Sequence, residues 1–115
     1  MHPSEFWLAT ASAALDHHPP IPAIALAHAQ VARRICQDRF ADSANRYLYL
    51  GLRWEVEALE VLAARDWAEA IRGLRIACGA YRLARHCGRG TWIERAGGRG
   101  VRRCMAMGVY ALGAG

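Results

Sequence analysis

Apolar side chains recur along most of this chain at the spacing of an α-helix. The repeat predicts helices over about residues 5–17, 22–39, 43–65, 66–87 and 101–112. One face of the second helix carries Ile24, His28, Val31 and Ile35. No stretch alternates apolar and polar residues as a half-buried strand does. The pattern predicts an all-α fold, a small bundle of about five helices that forms one domain over residues 1–115.

Residues that cap helices stand at the expected helix starts. Side chains of Ser, Thr and Asp accept hydrogen bonds from the free N–H groups of a first turn. Candidate caps occur at Ser4, at Asp42 or Ser43, at Asp66 and at Thr91. A glutamate follows three residues after each of the last two, which is typical of a capping box.

Glycines interrupt the C-terminal segment, residues 88–115. Gly97, Gly98 and Gly100 predict a loop or hinge, because glycine in a helix interior costs about 1 kcal/mol relative to alanine. We therefore expect the last helix to begin only at Val101.

Small residues recur every four positions in this last helix, at Gly100, Cys104 and Gly108. On a helix they would form a flat stripe that another helix can approach closely. Met105 and Met107 beside them are adaptable contact residues. An ordinary last core helix fits the same pattern, and the sequence leaves both interpretations open.

The third helix is apolar around about 260° of its circumference. Tyr47, Leu50 and Trp54 lie on one side, and other large apolar residues lie on another. A polar strip is formed only by Arg53, Glu57 and Glu60. Such a helix must be covered on two sides, either by its own chain or by a second one. We expect a homodimer through this helix, in which arginines of one subunit approach the polar strip of the other.

Glu55 lies inside the apolar arc of the third helix. A buried carboxylate requires a hydrogen-bonded cation or it becomes neutral. Arg85 is on the apolar face of the fourth helix, so the sequence predicts a Glu55–Arg85 ion pair.

Charge is sorted along the chain. Residues 1–70 carry nine acidic side chains and six arginines, whereas residues 71–115 carry nine arginines and only Glu94. Lysine is absent, so all 15 permanent cations are guanidinium groups, which bind carboxylates and phosphates through paired hydrogen bonds. The basic half is therefore suited to an acidic counterpart.

One face of the fourth helix concentrates this positive charge. Its members are Arg72, Arg75, Arg82 and Arg89. Three interpretations remain open: a solvated face, a site for an acidic protein, or a nucleic-acid-binding surface that follows a phosphate backbone. No helix-turn-helix, RNA-recognition or zinc-finger signature accompanies the arginines.

No pattern predicts catalysis, a metal site or a cofactor. The four cysteines and five histidines do not follow the spacings of zinc ligands. We expect the cysteines to be buried free thiols and His28 to be a core histidine with its hydrogen bonds satisfied.

No apolar run approaches the roughly 18 residues that span a bilayer. The segment before Arg33 lacks the cations of a signal peptide, so we expect a cytoplasmic protein without membrane contact.

A local resemblance supports the helical architecture. The segment 58–77 is similar to a tetratricopeptide-type helical hairpin, in which an acidic-aromatic pair opens the second helix and small residues let the helices nest. The residues that carry the resemblance are Ala58, Leu59, Leu62, Asp66, Trp67, Ala70, Ile71, Leu74 and Ala77. The resemblance predicts an antiparallel hairpin of the third and fourth helices.

In size and in its apolar helices, the chain also resembles small all-helical bacterial antiactivators, including those that sequester quorum-sensing transcription regulators. This resemblance implies inhibition by occupying the dimerisation surface of a regulator. We expect a regulatory protein without enzymatic activity that binds a protein partner through apolar helical surface. Expected contact residues are Phe6, Trp7, Tyr47, Tyr49, Leu50 and Trp54, with Phe6, Trp7 and Tyr49 exposed.

Overall fold

Five α-helices account for nearly all of the described chain in a computed structural model, which describes residues 3–17, 20–35, 40 and 42–114. The helices are α1 (Pro3–Asp16), α2 (Pro22–Ile35), α3 (Ser43–Ala63), α4 (Trp67–Cys87) and α5 (Trp92–Ala114). These ranges contain no strand. The predicted all-α bundle is confirmed. The predicted continuation of the second helix over 36–39 lies outside the described residues.

The helices form two hairpins and a fifth, C-terminal helix. The predicted pairing of α3 with α4 is present and is the most extensive helix contact, and α5 lies against α4. The α1–α2 hairpin contacts the rest through α2 against α3 and through α1 against α3 and α5. Among the described helices, α4 contacts only α3 and α5. Its outer face is therefore left to solvent.

Side chains from all five helices form one buried apolar cluster, which includes Leu8, Ala25, Leu52, Tyr81 and Val101. The inward face of α2 is made of small residues, because Ala25, Ala29 and Ala32 are fully buried. Ile24 and Ile35 lie on the outer face of α2 and are 44% and 40% exposed.

The chain itself covers much of α3. Leu48 and Leu52 are fully buried, while Tyr47, Leu50 and Trp54 are half-buried. No large apolar side chain of this helix is exposed. The polar strip of Arg53, Glu57 and Glu60 faces solvent, as its spacing predicted. Internal packing thus supplies cover that we had expected from a second subunit, and the homodimer stays a prediction.

Local hydrogen bonds define the ends of α3 and α4. The Asp42 carboxylate accepts the Asn45 N–H at 2.9 Å, and the Asp66 carboxylate accepts the Glu69 N–H at 3.3 Å. Beyond the end of α3, Arg65 has a φ of 62°, and the next N–H, of Asp66, bonds back to the Val61 carbonyl at 3.0 Å. These ends keep the hairpin turn short.

The start of α1 differs from the prediction. The helix begins at Pro3, so Ser4 lies inside it, buried, and does not precede it as a cap. Proline suits the first turn of a helix because its missing N–H would have no partner there.

The predicted loop over Gly97–Gly100 is wrong, because α5 is continuous from Trp92 to Ala114. The Thr91 hydroxyl accepts the Ile93 N–H at 3.2 Å and so caps the helix, as predicted. The glycines lie where α5 approaches α4. A Cβ at Gly97 would lie 2.8 Å from the Tyr81 carbonyl oxygen, and one at Gly100 would lie 2.6 Å from the Tyr81 ring. Close helix packing therefore offsets the low helix propensity of glycine.

Candidate functional site

The predicted contact residues divide between α1 and α3. Phe6 is 55% exposed, and Trp7 is half-buried with its ring centroid 5.1 Å from that of His28. Tyr49 is only 6% exposed and packs against Phe40 at 5.5 Å between ring centroids. The expectation of an exposed Tyr49 is therefore wrong. Among the six residues, only Phe6 presents most of its side chain to solvent.

A more exposed apolar surface, which sequence reasoning did not identify, lies on the C-terminal half of α5. Met105, Val109, Tyr110 and Leu112 are 56%, 72%, 59% and 65% exposed. Trp67 of α4 packs edge-on against Tyr110 at 6.3 Å between centroids. The two methionines and the small residues of this segment were the only signal in the sequence that pointed here. They did not show that the helix face lacks a neighbour.

This surface borders a groove between α4 and α5, with a cavity volume of about 210 Å³. We call it the α4–α5 groove; it is lined by Ile71, Leu74, Arg75, Cys78, Cys104, Met105, Gly108, Val109 and Leu112. Gly108 has open space around its α-carbon, since an added Cβ would meet nothing within 4 Å. The predicted small-residue stripe is thus split. Gly100 and Cys104 are buried, whereas Gly108 helps to open the groove.

Exposed arginines lie along α4, and one of them lines the α4–α5 groove. Arg72, Arg75, Arg82 and Arg89 are exposed, as the helical spacing predicted, and Arg75 lines the groove. Arg72 pairs with Glu69 at 3.3 Å, and both side chains are at least half exposed, so the pair adds little to stability. The other three form no ion pair with any described residue.

Two further arginines lie near Gly98 of α5. A Cβ at Gly98 would lie 3.7 Å from the Arg85 side chain and 3.9 Å from the Arg102 guanidinium. Both arginines are exposed, and neither pairs with a carboxylate within the described ranges.

A buried ion cluster lies on a different side of α5 from the α4–α5 groove. Glu55 is 2% exposed and accepts hydrogen bonds from Arg103 Nε at 2.9 Å, Arg103 Nη2 at 3.0 Å and the Tyr81 hydroxyl at 2.6 Å. Asp16, at the end of α1, accepts hydrogen bonds from Arg103 Nη1 and from Arg99 Nε, the latter at 2.8 Å. The cluster joins α1, α3, α4 and α5.

The predicted Glu55–Arg85 pair is wrong, because the partner of Glu55 is Arg103. Arg85 lies against the glycines of α5, and its side chain is exposed there. Glu55 approaches α5 from α3, where Arg103 offers two guanidinium N–H groups to the two carboxylate oxygens.

The environment shifts the pKa values of Tyr81, Arg103 and the neighbouring Cys104. Burial and the charge of Glu55 raise the pKa of Tyr81. Burial alone would lower the pKa of Arg103, but its hydrogen bond to Glu55 and the nearby Glu55, Tyr81 and Asp16 together outweigh that effect and raise the pKa. Burial also raises the pKa of the Cys104 thiol. Tyr81 and Cys104 therefore stay protonated near neutral pH and provide no base or nucleophile there.

These shifts predict a loss of stability at alkaline pH. The folded protein keeps Cys104 protonated, whereas the unfolded chain releases its proton near pH 8.5. A pKa raised on folding stabilises the protein below the unfolded value, and this contribution decreases as the pH rises above it. The free energy of unfolding should fall by up to about 1.4 kcal/mol per pH unit above roughly pH 8.5, and more steeply above about pH 10, where Tyr81 adds the same effect.

Urea denaturation between pH 7 and 10.5 under reducing conditions would measure this slope. Cys104→Ala should remove the decrease in the free energy of unfolding between about pH 8.5 and 10. Cys87→Ala changes an exposed thiol and should leave that decrease unchanged. An unaltered slope in Cys104→Ala would contradict the prediction.

The cysteines and His28 differ from their predicted environments. Cys104 is buried, but Cys78 is half-buried and Cys87 exposed, and all three are free; Cys36 lies outside the described residues. The His28 Nδ1 atom is buried and finds no hydrogen-bond partner among the described residues, which differs from the expectation of satisfied hydrogen bonds. Within the described ranges, no group of three or more His, Cys, Asp or Glu side chains is arranged to hold a metal ion.

None of the described helices combines the length and apolar character needed to cross a membrane.

Comparison of the chain with protein-family models, with curated proteins and with solved structures gave no match.

Proposed function

We propose that this protein is a regulatory binding protein that holds an acidic, amphipathic helix of a partner protein in the α4–α5 groove. The observation that carries the proposal is the combination of exposed apolar side chains on α5 with arginines that have no described carboxylate partner. Each feature occurs alone on many protein surfaces. Together they match the two faces of an acidic amphipathic helix.

The apolar part of the groove supplies the contact area. Val109 and Leu112 are 72% and 65% exposed, and such adjacent large apolar residues are typical of interaction sites. Met105 beside them can adapt its side chain to different partners. An amphipathic helix would insert its apolar residues between α4 and α5.

Charge favours an acidic partner over a second copy of the same surface. A two-fold contact between two α4–α5 grooves would bring Arg75, Arg82 and their copies close together, and like charges at an interface are unfavourable. Carboxylates on the outer edges of a bound helix would instead pair with these arginines.

The regulatory role extends the resemblance to antiactivators. A protein that covers an amphipathic helix of a transcription regulator would remove the surface through which that regulator dimerises. Binding alone would then inhibit, and no catalytic step is required.

A matched pair of substitutions tests whether the partner protein binds in the α4–α5 groove. Val109→Asp should abolish retention of the partner in pull-downs from host lysate, because it places a carboxylate in the apolar part of the groove. Phe6→Asp makes the same change at the exposed α1 position, 55% exposed, and should leave retention unchanged. A photoreactive phenylalanine analogue in place of Tyr110 should cross-link to an acidic amphipathic segment, and retention should weaken as salt increases.

Loss of retention in Phe6→Asp and not in Val109→Asp would move the site to the predicted α1 and α3 residues and contradict the groove. Light scattering on the purified protein distinguishes self-association. A wild-type dimer that Val109→Asp converts to monomer would show that a second copy occupies the groove.

Nucleic acid is a second candidate, favoured by the exposed face of Arg75, Arg82 and Arg89, which form no ion pair with a described residue. Phosphate contacts would give binding that is insensitive to sequence and strongest at low salt. Arg75→Glu with Arg82→Glu should then abolish a mobility shift of duplex DNA or RNA at low salt. No shift with the wild-type protein would exclude this candidate.

A further inference from the structure

We propose that the cavity between α1, α3 and α5 binds a small organic anion with an apolar body. This cavity lies beside the ion cluster, on a different side of α5 from the α4–α5 groove, and has a volume of about 460 Å³. Its size falls within the roughly 300–1,000 Å³ of small-molecule sites. The inference is independent of the proposed function.

Charge on the cavity wall favours an anion. The charged lining residues are Asp16, Glu55, Arg99, Arg102 and Arg103. Three guanidinium groups against two carboxylates leave a net charge of +1. Glu55 and Asp16 already bind Arg103, which is mostly buried.

The arginines at the cavity entrance keep unused donors. Arg99 is 42% exposed and donates only its Nε to Asp16 among the described contacts, so its two terminal nitrogens stay available. Arg102 is exposed and forms no ion pair with a described residue. A carboxylate or phosphate at the entrance could accept hydrogen bonds from both guanidinium groups.

The rest of the cavity wall is apolar. It consists of Leu15, Pro20, Leu59, Ala106 and Met107. Leu15 is buried and Leu59 and Met107 are half-buried, so they provide an apolar inner surface, while exposed Ala106 leaves the entrance open. An anion with a short hydrocarbon chain would place its charged group at the arginines and its chain against these side chains.

Calorimetry with octanoate, below its micelle concentration, tests the proposal against two matched probes, 1-octanol and octylamine. Octanoate should bind at least about tenfold more tightly than either probe, because they lack the negative charge. Arg102→Gln should weaken octanoate binding about tenfold, and Ala106→Phe should abolish it by filling the entrance. Both positions are exposed, so folding should be preserved.

Two control variants test whether octanoate binds in this cavity. Arg95→Gln removes an exposed α5 arginine that does not line the cavity, and Val109→Asp alters the α4–α5 groove; both should bind octanoate as the wild type does. In amide NMR spectra, octanoate should shift the resonances of Arg99, Arg102 and Ala106. No octanoate binding, equal binding of 1-octanol, or binding unaffected by Ala106→Phe and Arg102→Gln would overturn the proposal.

Discussion

Replacing Arg103 with methionine is expected to lower the free energy of unfolding by about 3–5 kcal/mol. The change removes the two guanidinium hydrogen bonds that compensate the charge of Glu55, which is 2% exposed. Only the Tyr81 hydroxyl would remain as a donor to that carboxylate. Asp16 would lose one of its two arginine partners as well. Urea denaturation followed by circular dichroism at pH 7 would measure the loss.

A double variant separates charge from packing. Adding Glu55→Gln to Arg103→Met should recover most of the lost stability, because a neutral amide no longer requires a cation and can still accept the Tyr81 hydroxyl. Arg102→Met, at the exposed neighbouring position, should change stability by less than about 0.5 kcal/mol. If the double variant is as unstable as Arg103→Met alone, Arg103 acts through packing of its side chain, and the ion-pair interpretation is wrong.

Replacing Gly100 with alanine is expected to destabilise the protein by about 3 kcal/mol. The new Cβ would lie 2.6 Å from the ring of Tyr81, closer than carbon atoms approach in folded proteins. The Tyr81 ring cannot move away from Gly100, because the ring also lies against Gly51 of α3. A Cβ at Gly51 would also lie 2.6 Å from the ring. The hydroxyl is held by Glu55. Thermal and urea denaturation would measure the effect.

Replacing Gly108 with alanine should instead increase the stability of the protein. Its Cβ would meet nothing within 4 Å, so alanine should stabilise α5 by up to about 1 kcal/mol through its higher helix propensity. The two variants differ only in their surroundings. Equal effects at both positions would mean that helix propensity alone decides the result and that contact with Tyr81 does not require a glycine at position 100.

The sequence by itself determined the fold class and most helix boundaries. The caps at Asp42, Asp66 and Thr91 could be predicted because each bond joins residues two or three positions apart. The outward face of Arg75 and Arg82 followed from helical spacing in the same way. Such features depend on neighbours in the chain, and so the sequence displays them directly.

Only the tertiary structure decided the partner of Glu55, since Arg103 lies 48 residues further along the chain. Spacing along a helix shows which face carries a residue, but it does not show which helix covers that face. For the same reason Gly97 and Gly100 suggested a loop by propensity and became helix-packing positions when α4 approached α5. The exposed face of α5 was equally hidden in the sequence. An apolar helix face predicts burial, and only the arrangement of the other four helices leaves Val109 and Leu112 uncovered.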